Sequence, residues 1–253
     1  MAKDFGGVYG LTEVSYERCV ACGFVQSSTH AKMPLAEWER LNREFHASYQ
    51  GSGVAEGDPR WMERIETQAR VMTRLVRDGI LPGGPWVDYA CGDGELADRL
   101  ERNGLDVTRY DRYMRTGVGR YLEKEELLKS GKRWEVVINT SAFEHFLSME
   151  PIEEIFELAR DGVLAVHTLV SERVPTDALW FYLFPVHVSF FTNAAMQILF
   201  ERYGFASSIY HVEARLWFWF RHRDRAFERY CASHSAAGDT LVWRDAFVDY
   251  WKE

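Results

Sequence analysis

The chain has 253 residues, 47% of them hydrophobic, which suits a globular protein of one large domain or one domain with a small appendage. Its formal net charge of −8 lacks the basic face that binding to nucleic acid needs. No apolar run reaches the length of a membrane span, and the start, MAKDFGGVYG, has no apolar signal core, so a cytoplasmic protein with no membrane partner is expected.

Three textures divide the chain. Residues 1–57 hold a knuckle, Arg18-Cys19-Val-Ala-Cys22-Gly23-Phe24, then a polar helical arm, then a flexible run over 51–57. Residues 58–222 alternate helical and strand patterns. Residues 223–253 read as a helical tail.

In the middle region Asp58-Pro59 starts a helix, with a cap followed by proline at the first helical position. Trp61, Ile65, Ala69, Met72 and Val76 form its apolar face, and Gly79 closes it. A short apolar strand at 86–89 leads into a turn containing Gly92 and Gly94. A helix over 95–103 follows, then a strand over 106–110 that ends at Asp111. Residues 134–138 and 163–168 read as buried strands, and 151–160 as a helix between them. Thr192 or Asn193 caps a helix carrying Met196, Leu199, Phe200 and Tyr203. Two late strands, 207–212 and 216–221, form a hairpin. Alternation of this kind predicts an α/β fold: a Rossmann-like, seven-stranded, mainly parallel sheet with a late antiparallel hairpin and helices on both faces. In the tail, Trp243, Phe247, Tyr250 and Trp251 fall on one stripe of a predicted helix over 239–253, fit for core packing or a homodimer interface.

The turn WVDYACGDGELADRL sits where open α/β sheets bind ligands. It has neither the three-glycine dinucleotide pattern nor the Lys-Ser/Thr of a phosphate loop. Asp88, Asp93 and Glu95 around it would repel a pyrophosphate and suit a ligand with positive charge.

These residues resemble motif I of the class I S-adenosylmethionine-dependent methyltransferases, with Ala90 in place of the first glycine. Asp111, 23 residues beyond Asp88, stands where that family keeps an acid on the ribose hydroxyls. WEVVINTSAFEHF is similar to the family's fourth-strand motif. GVLAVHT and FPVHVSFFTNAAMQILFERYGF are similar to the fifth strand and downstream region of a small-molecule subgroup. The resemblance spans roughly residues 60–222. It implies S-adenosyl-L-methionine as cofactor, held by Asp88, Ala90, Gly92, Gly94, Asp111, Arg112 and Asn139, with Tyr49 either on an N-terminal lid over the cofactor or at a surface helix end. The acid the family often carries after its third strand has no match in GRYLEKEELLKSGK.

A hydroxyl acceptor needs a base, and His145 and His187 fall on loops at the expected site, as catalytic or structural residues. His167, inside a strand, reads as structural. Trp180, Phe181, Tyr182 and Phe184 either wall the acceptor pocket or pack in a helix. Cys19 and Cys22 resemble half of a zinc ribbon. They either hold a structural zinc together with Cys231 and His234 or remain reduced thiols. The expected activity is methyl transfer to a small-molecule acceptor, O-methylation of a sugar or other hydroxylated metabolite. The alternatives are a protein- or N-directed enzyme and an inactive cofactor-binding partner subunit.

Overall fold

The computed structural model describes residues 1–51, 59–114, 119–129, 131–236 and 240–249. The Asp58 cap and nearly all of the run expected to be flexible lie outside these residues, as do Tyr250 and Trp251. The strands are β1 (Ala2–Asp4), β2 (Glu13–Arg18) and β3 (Val25–Ser27), followed by helices α1 (Leu35–Gly51) and α2 (Pro59–Arg77). Next come β4 (Trp86–Tyr89), α3 (Glu95–Arg102), β5 (Val107–Tyr110), α4 (Lys124–Lys129) and β6 (Val136–Thr140). Then follow α5 (Glu150–Leu158), β7 (Val163–His167), β8 (Val170–Ser171), β9 (Ser189–Thr192) and α6 (Asn193–Arg202). The chain continues through β10 (Ser207–His211), β11 (Leu216–Phe220), α7 (Arg225–Ala236) and β12 (Leu241–Arg244). No helix among the described residues is long and apolar enough to cross a membrane.

The main sheet has seven strands in the order β12-β10-β11-β7-β6-β4-β5. β5, β4, β6 and β7 run parallel, and β11, β10 and β12 add antiparallel pairings. Side chains alternate between its faces, as the pleat requires. Trp86, Val136 and Ile138 pack with α2, α3 and α7, while Val87, Tyr89 and Val137 pack with α5 and α6. Both faces are therefore covered, which explains the continuous apolar runs of the parallel strands. On α2, Ile65, Ala69 and Met72 are buried as the periodicity predicts. The Thr192 hydroxyl accepts the Ala195 amide at 3.1 Å and caps α6.

Two expectations need correction. Between β5 and β6, where the resembled family has its third strand, the described residues form one isolated bridge, Arg109 to Tyr121, and β12 supplies the seventh strand at the opposite edge. Within the tail expected to be a helix over 239–253, residues 241–244 are a strand that pairs antiparallel with β10. Phe247 and Val248 then turn back into the core, where the Trp217 indole donates to the Val248 carbonyl at 2.8 Å. The partner for 241–244 is 30 or more residues away in sequence, so the local stripe of aromatics did not reveal it.

The N-terminal segment also forms strands that its composition hid. β1, β2 and β3 join β9 and β8 in a second, five-stranded sheet. Val14, Tyr16, Val25, Trp38 and Leu41 pack there against Val186, Val188 and Phe190. This sheet sets α1 and the 172–188 segment beside the carboxyl ends of the parallel strands.

Candidate functional site

Strand order reverses beside β4, whose neighbours β5 and β6 are reached by connections in opposite directions. The carboxyl ends there diverge and leave a crevice. A cavity of about 1770 Å³ opens at this point. It extends from the glycine turn to α1 and the 172–188 segment, large enough for a nucleoside-sized ligand and a second small molecule together.

The turn is built by backbone geometry. Ala90, Gly92 and Gly94 all have left-handed backbones, at φ of 60°, 59° and 82°. The amides of Ala90 and Cys91 both donate to the Tyr110 carbonyl, at 2.7 and 3.1 Å, which folds the turn over the end of β5. Gly92 borders the cavity. Gly94 does not, and its bare Cα serves a neighbour instead: a Cβ there would lie 2.8 Å from Arg109 Nε. Arg109 cannot move aside easily, because its guanidinium binds Glu101 through two nitrogens, at 2.7 and 2.8 Å, and also binds Asp98.

Asp111 lies 6% exposed at the cavity edge. Its Oδ2 accepts the Gly92 amide at 2.8 Å, and its Oδ1 accepts the Tyr113 and Met114 amides at 2.8 and 2.7 Å. Asp88 is buried, lines the cavity, and its Oδ1 has no hydrogen-bond partner. Burial, and then the Asp111 charge, push its carboxyl up to about 8, against the pull of Arg109. Two carboxyls at one end of a partly apolar cavity suit a cationic ligand that also bears hydroxyls.

The other residues expected at the cofactor divide. Arg112 lines the cavity and pairs with Glu39 of α1 at 3.3 Å. Asn139 does not reach the cavity: fully buried, it donates to the Tyr89 carbonyl at 2.8 Å and braces the end of β4. The Tyr49 side chain lies outside the described residues. Arg64 and Gln68 also line the cavity, from α2, and Arg64 donates to the Ser141 hydroxyl at 3.1 Å. The signal for both was in the sequence, as two polar residues four apart bordering an apolar helix face.

At the far end, Phe143–His145 forms a short 3-10 turn after β6. The Val188 amide donates to the Glu144 carbonyl at 2.7 Å, which ties this turn to the loop carrying His187. The His145 and His187 rings stand 4.8 Å apart, and His46 of α1 stands 5.3 Å from His145. His187 Nδ1 donates to the Tyr182 carbonyl at 2.9 Å. Glu144 accepts the Tyr182 hydroxyl at 2.6 Å and the Thr168 hydroxyl at 2.9 Å. Burial lowers His187 to about 3 and His46 to about 4, and it holds His145 well below its ordinary value. All three rings are neutral at neutral pH, so each offers a lone pair, though such depressed groups are weak proton acceptors. His167 is held by the Arg215 carbonyl at 2.6 Å, the structural part expected of it, although it also borders the cavity.

The 172–188 segment contains no helix. Trp180 packs on Phe190 at 5.1 Å, whereas Phe181, Tyr182 and Phe184 face the cavity. The four zinc candidates are not brought together. Cys22 packs beside the helices of one sheet face and Cys231 is buried in the core of the other. His234 is held by the Tyr230 carbonyl. Among the described residues, the group of His, Cys and acidic side chains close enough to share an ion is Glu144, His145 and His187.

Comparison with known proteins agrees with this geometry. No curated protein matches the sequence. Among solved structures, magnesium protoporphyrin IX methyltransferase from Synechocystis PCC 6803 with bound SAH aligns over 73% of this chain and 100% of its own, with 17% identity and a TM-score of 0.52. The same enzyme with bound SAM aligns over 72% and 97%, with 16% identity and a TM-score of 0.49. The first of these likenesses supports the fold. The family profile described as "Methyltransferase domain" matches residues 61–208, more than half of the chain. Its span runs from α2 through the glycine turn, Asp111 and the Glu144-His145 turn to the start of β10, and the chain belongs to this methyltransferase family.

Proposed function

We propose that the protein transfers a methyl group from S-adenosyl-L-methionine to an oxygen of a small hydroxylated molecule, such as a sugar. The observation that carries this reading is the continuity of the cavity: Asp88, Gly92 and Asp111 lie at one end, and His145 and His187 at the other.

The residues fit such a donor. Asp111 accepts ribose hydroxyls, Gly92 leaves room for the chain to pass, and the Asp88 carboxyl suits the cationic portion. Arg64 suits the donor's carboxylate. The bound donor supplies an electrophilic methyl on a sulfonium. The chain aligns the acceptor oxygen with that methyl and excludes water, and alignment alone supplies much of the rate. His145 and His187 stand at the acceptor end of the cavity, where they position the acceptor oxygen toward the methyl group. Phe181 and Phe184, 72% and 40% exposed, form an apolar rim that a compact acceptor would cover.

The test is turnover of S-adenosyl-L-methionine with a panel of sugars, phenols, amines and a peptide mixture, followed by mass spectrometry. Formation of S-adenosylhomocysteine together with a methylated hydroxyl compound is the expected result. Methylation of the amines or peptides alone would replace this reading with an N- or protein-directed one.

A further inference from the structure

Glu144, His145 and His187 come from two segments separated by about forty residues, yet their ligand atoms all lie within 4.8 Å of one another. We propose that these three side chains bind one divalent first-row transition-metal ion at the acceptor end of the cavity.

The arrangement around them is that of ligands already oriented. A backbone carbonyl takes the Nδ1–H of His187, so its Nε2 must carry the lone pair. The Glu144 carboxylate is 2% exposed and is held from both sides by hydroxyl donors, Tyr182 on one oxygen and Thr168 on the other. Each oxygen keeps a second lone pair, and a buried carboxylate without a cation is costly. His145 Nδ1 is buried with no hydrogen-bond partner. Tyr182 serves two of the three residues at once, the phenol on Glu144 and its carbonyl on His187. The Val188 amide on the Glu144 carbonyl fixes one segment on the other.

Metal–ligand bonds of about 2.0–2.2 Å place neighbouring donors roughly 3–4 Å apart, so the present spacing closes with small side-chain rotations. Two imidazoles and one carboxylate favour zinc, cobalt, iron or manganese over magnesium and calcium, which prefer all-oxygen shells. Three protein ligands leave positions open toward the cavity. The function of the ion rests on the O-methylation reading above. It would withdraw density from an acceptor hydroxyl, whose proton leaves to solvent. The oxygen then takes the methyl group, and the electron pair of the carbon–sulfur bond returns to sulfur, leaving a neutral thioether. This supplies the activation that weakly basic imidazoles do not.

The test uses the full chain, stripped with a chelator and titrated with Co²⁺. The readouts are visible absorption and calorimetry, with S-adenosyl-L-methionine affinity measured separately. The expected result is one Co²⁺ per chain with a d–d band, at least ~10-fold weaker in His187→Ala and in His145→Ala. Circular dichroism and unchanged S-adenosyl-L-methionine affinity confirm that the variants fold. Glu144→Gln is a third variant, and the histidine variants decide the matter if it fails to fold. Co²⁺ affinity equal in wild type and both histidine variants, or no d–d band, would overturn the site. Donor binding without cobalt binding overturns the metal site alone. Cobalt binding without donor binding leaves the site standing and overturns the methyl-transfer reading.

Discussion

The Oδ2 of Asp111 accepts the backbone amide of Gly92 at 2.8 Å, so the end of β5 holds the turn that follows β4. In the function proposed above, this one carboxylate has two tasks, shaping the glycine turn and meeting the donor. Asp111→Ala should weaken S-adenosyl-L-methionine binding by at least ~10-fold and lower stability by about 1–3 kcal/mol, because three backbone amides lose their acceptor. Calorimetry and urea unfolding would measure the two losses. Full stability in the variant would show that the turn holds its shape unaided.

Ala90 occupies a backbone region that costs an L-residue about 1 kcal/mol, at the position where the resembled motif has glycine. Ala90→Gly relieves that strain but loosens the unfolded chain, by an opposing amount that is slightly smaller. The expected outcome is a stability unchanged or raised by up to about 1 kcal/mol. Ala90→Val should be clearly destabilising. Thermal unfolding of both variants checks this, and a large loss in the glycine variant would contradict the left-handed turn.

Gly94 and Arg109 should be coupled. Gly94→Ala places a Cβ 2.8 Å from a guanidinium held by Glu101 and Asp98, so it should cost about 1–3 kcal/mol. In an Arg109→Ala background the contact is gone and only the backbone strain remains. A double-mutant cycle should therefore show a coupling of at least ~0.5 kcal/mol. Strict additivity would mean that Arg109 moves aside freely.

Asp88 makes the unliganded protein sensitive to pH. Its carboxyl ionises near 8 when folded and near 4 when unfolded, so the folded chain holds a proton that the unfolded chain releases. The stabilisation is full below about pH 4 and is lost as pH rises through about 8. Asp88→Asn cannot ionise, so it should gain stability relative to wild type between about pH 5 and about pH 9. Urea midpoints at the two pH values measure this difference, and an equal gap at both would show Asp88 to be ionised throughout.

Phe181 and Phe184 should affect the acceptor and not the donor. Replacing either with Ala should raise the acceptor KM several-fold and leave S-adenosyl-L-methionine affinity unchanged, since both lie at the end of the cavity away from the glycine turn. A matching loss of donor affinity would place the donor near this rim instead.

Local sequence determined the features that local physics controls. The apolar face of α2, the Thr192 cap, the buried parallel strands and the glycine turn each follow from residues a few positions apart, and the motif order led to the methyltransferase family. Tertiary structure alone decided what depends on distant pairing. β3 pairs with nearby β2 and also with β9, some 160 residues onward, and β12 became a strand by covering the edge at β10. Gly94 reads as ligand space in the sequence and proves to be space for Arg109. The pairing of Glu144 and His145 with His187 depends on bonds between two distant segments, such as the Val188 amide on the Glu144 carbonyl and the Tyr182 hydroxyl on the Glu144 carboxylate, and no periodicity encodes them. Side chains that share a site need only converge in space, and the energy that brings them together comes from sheet pairing and core burial elsewhere in the chain.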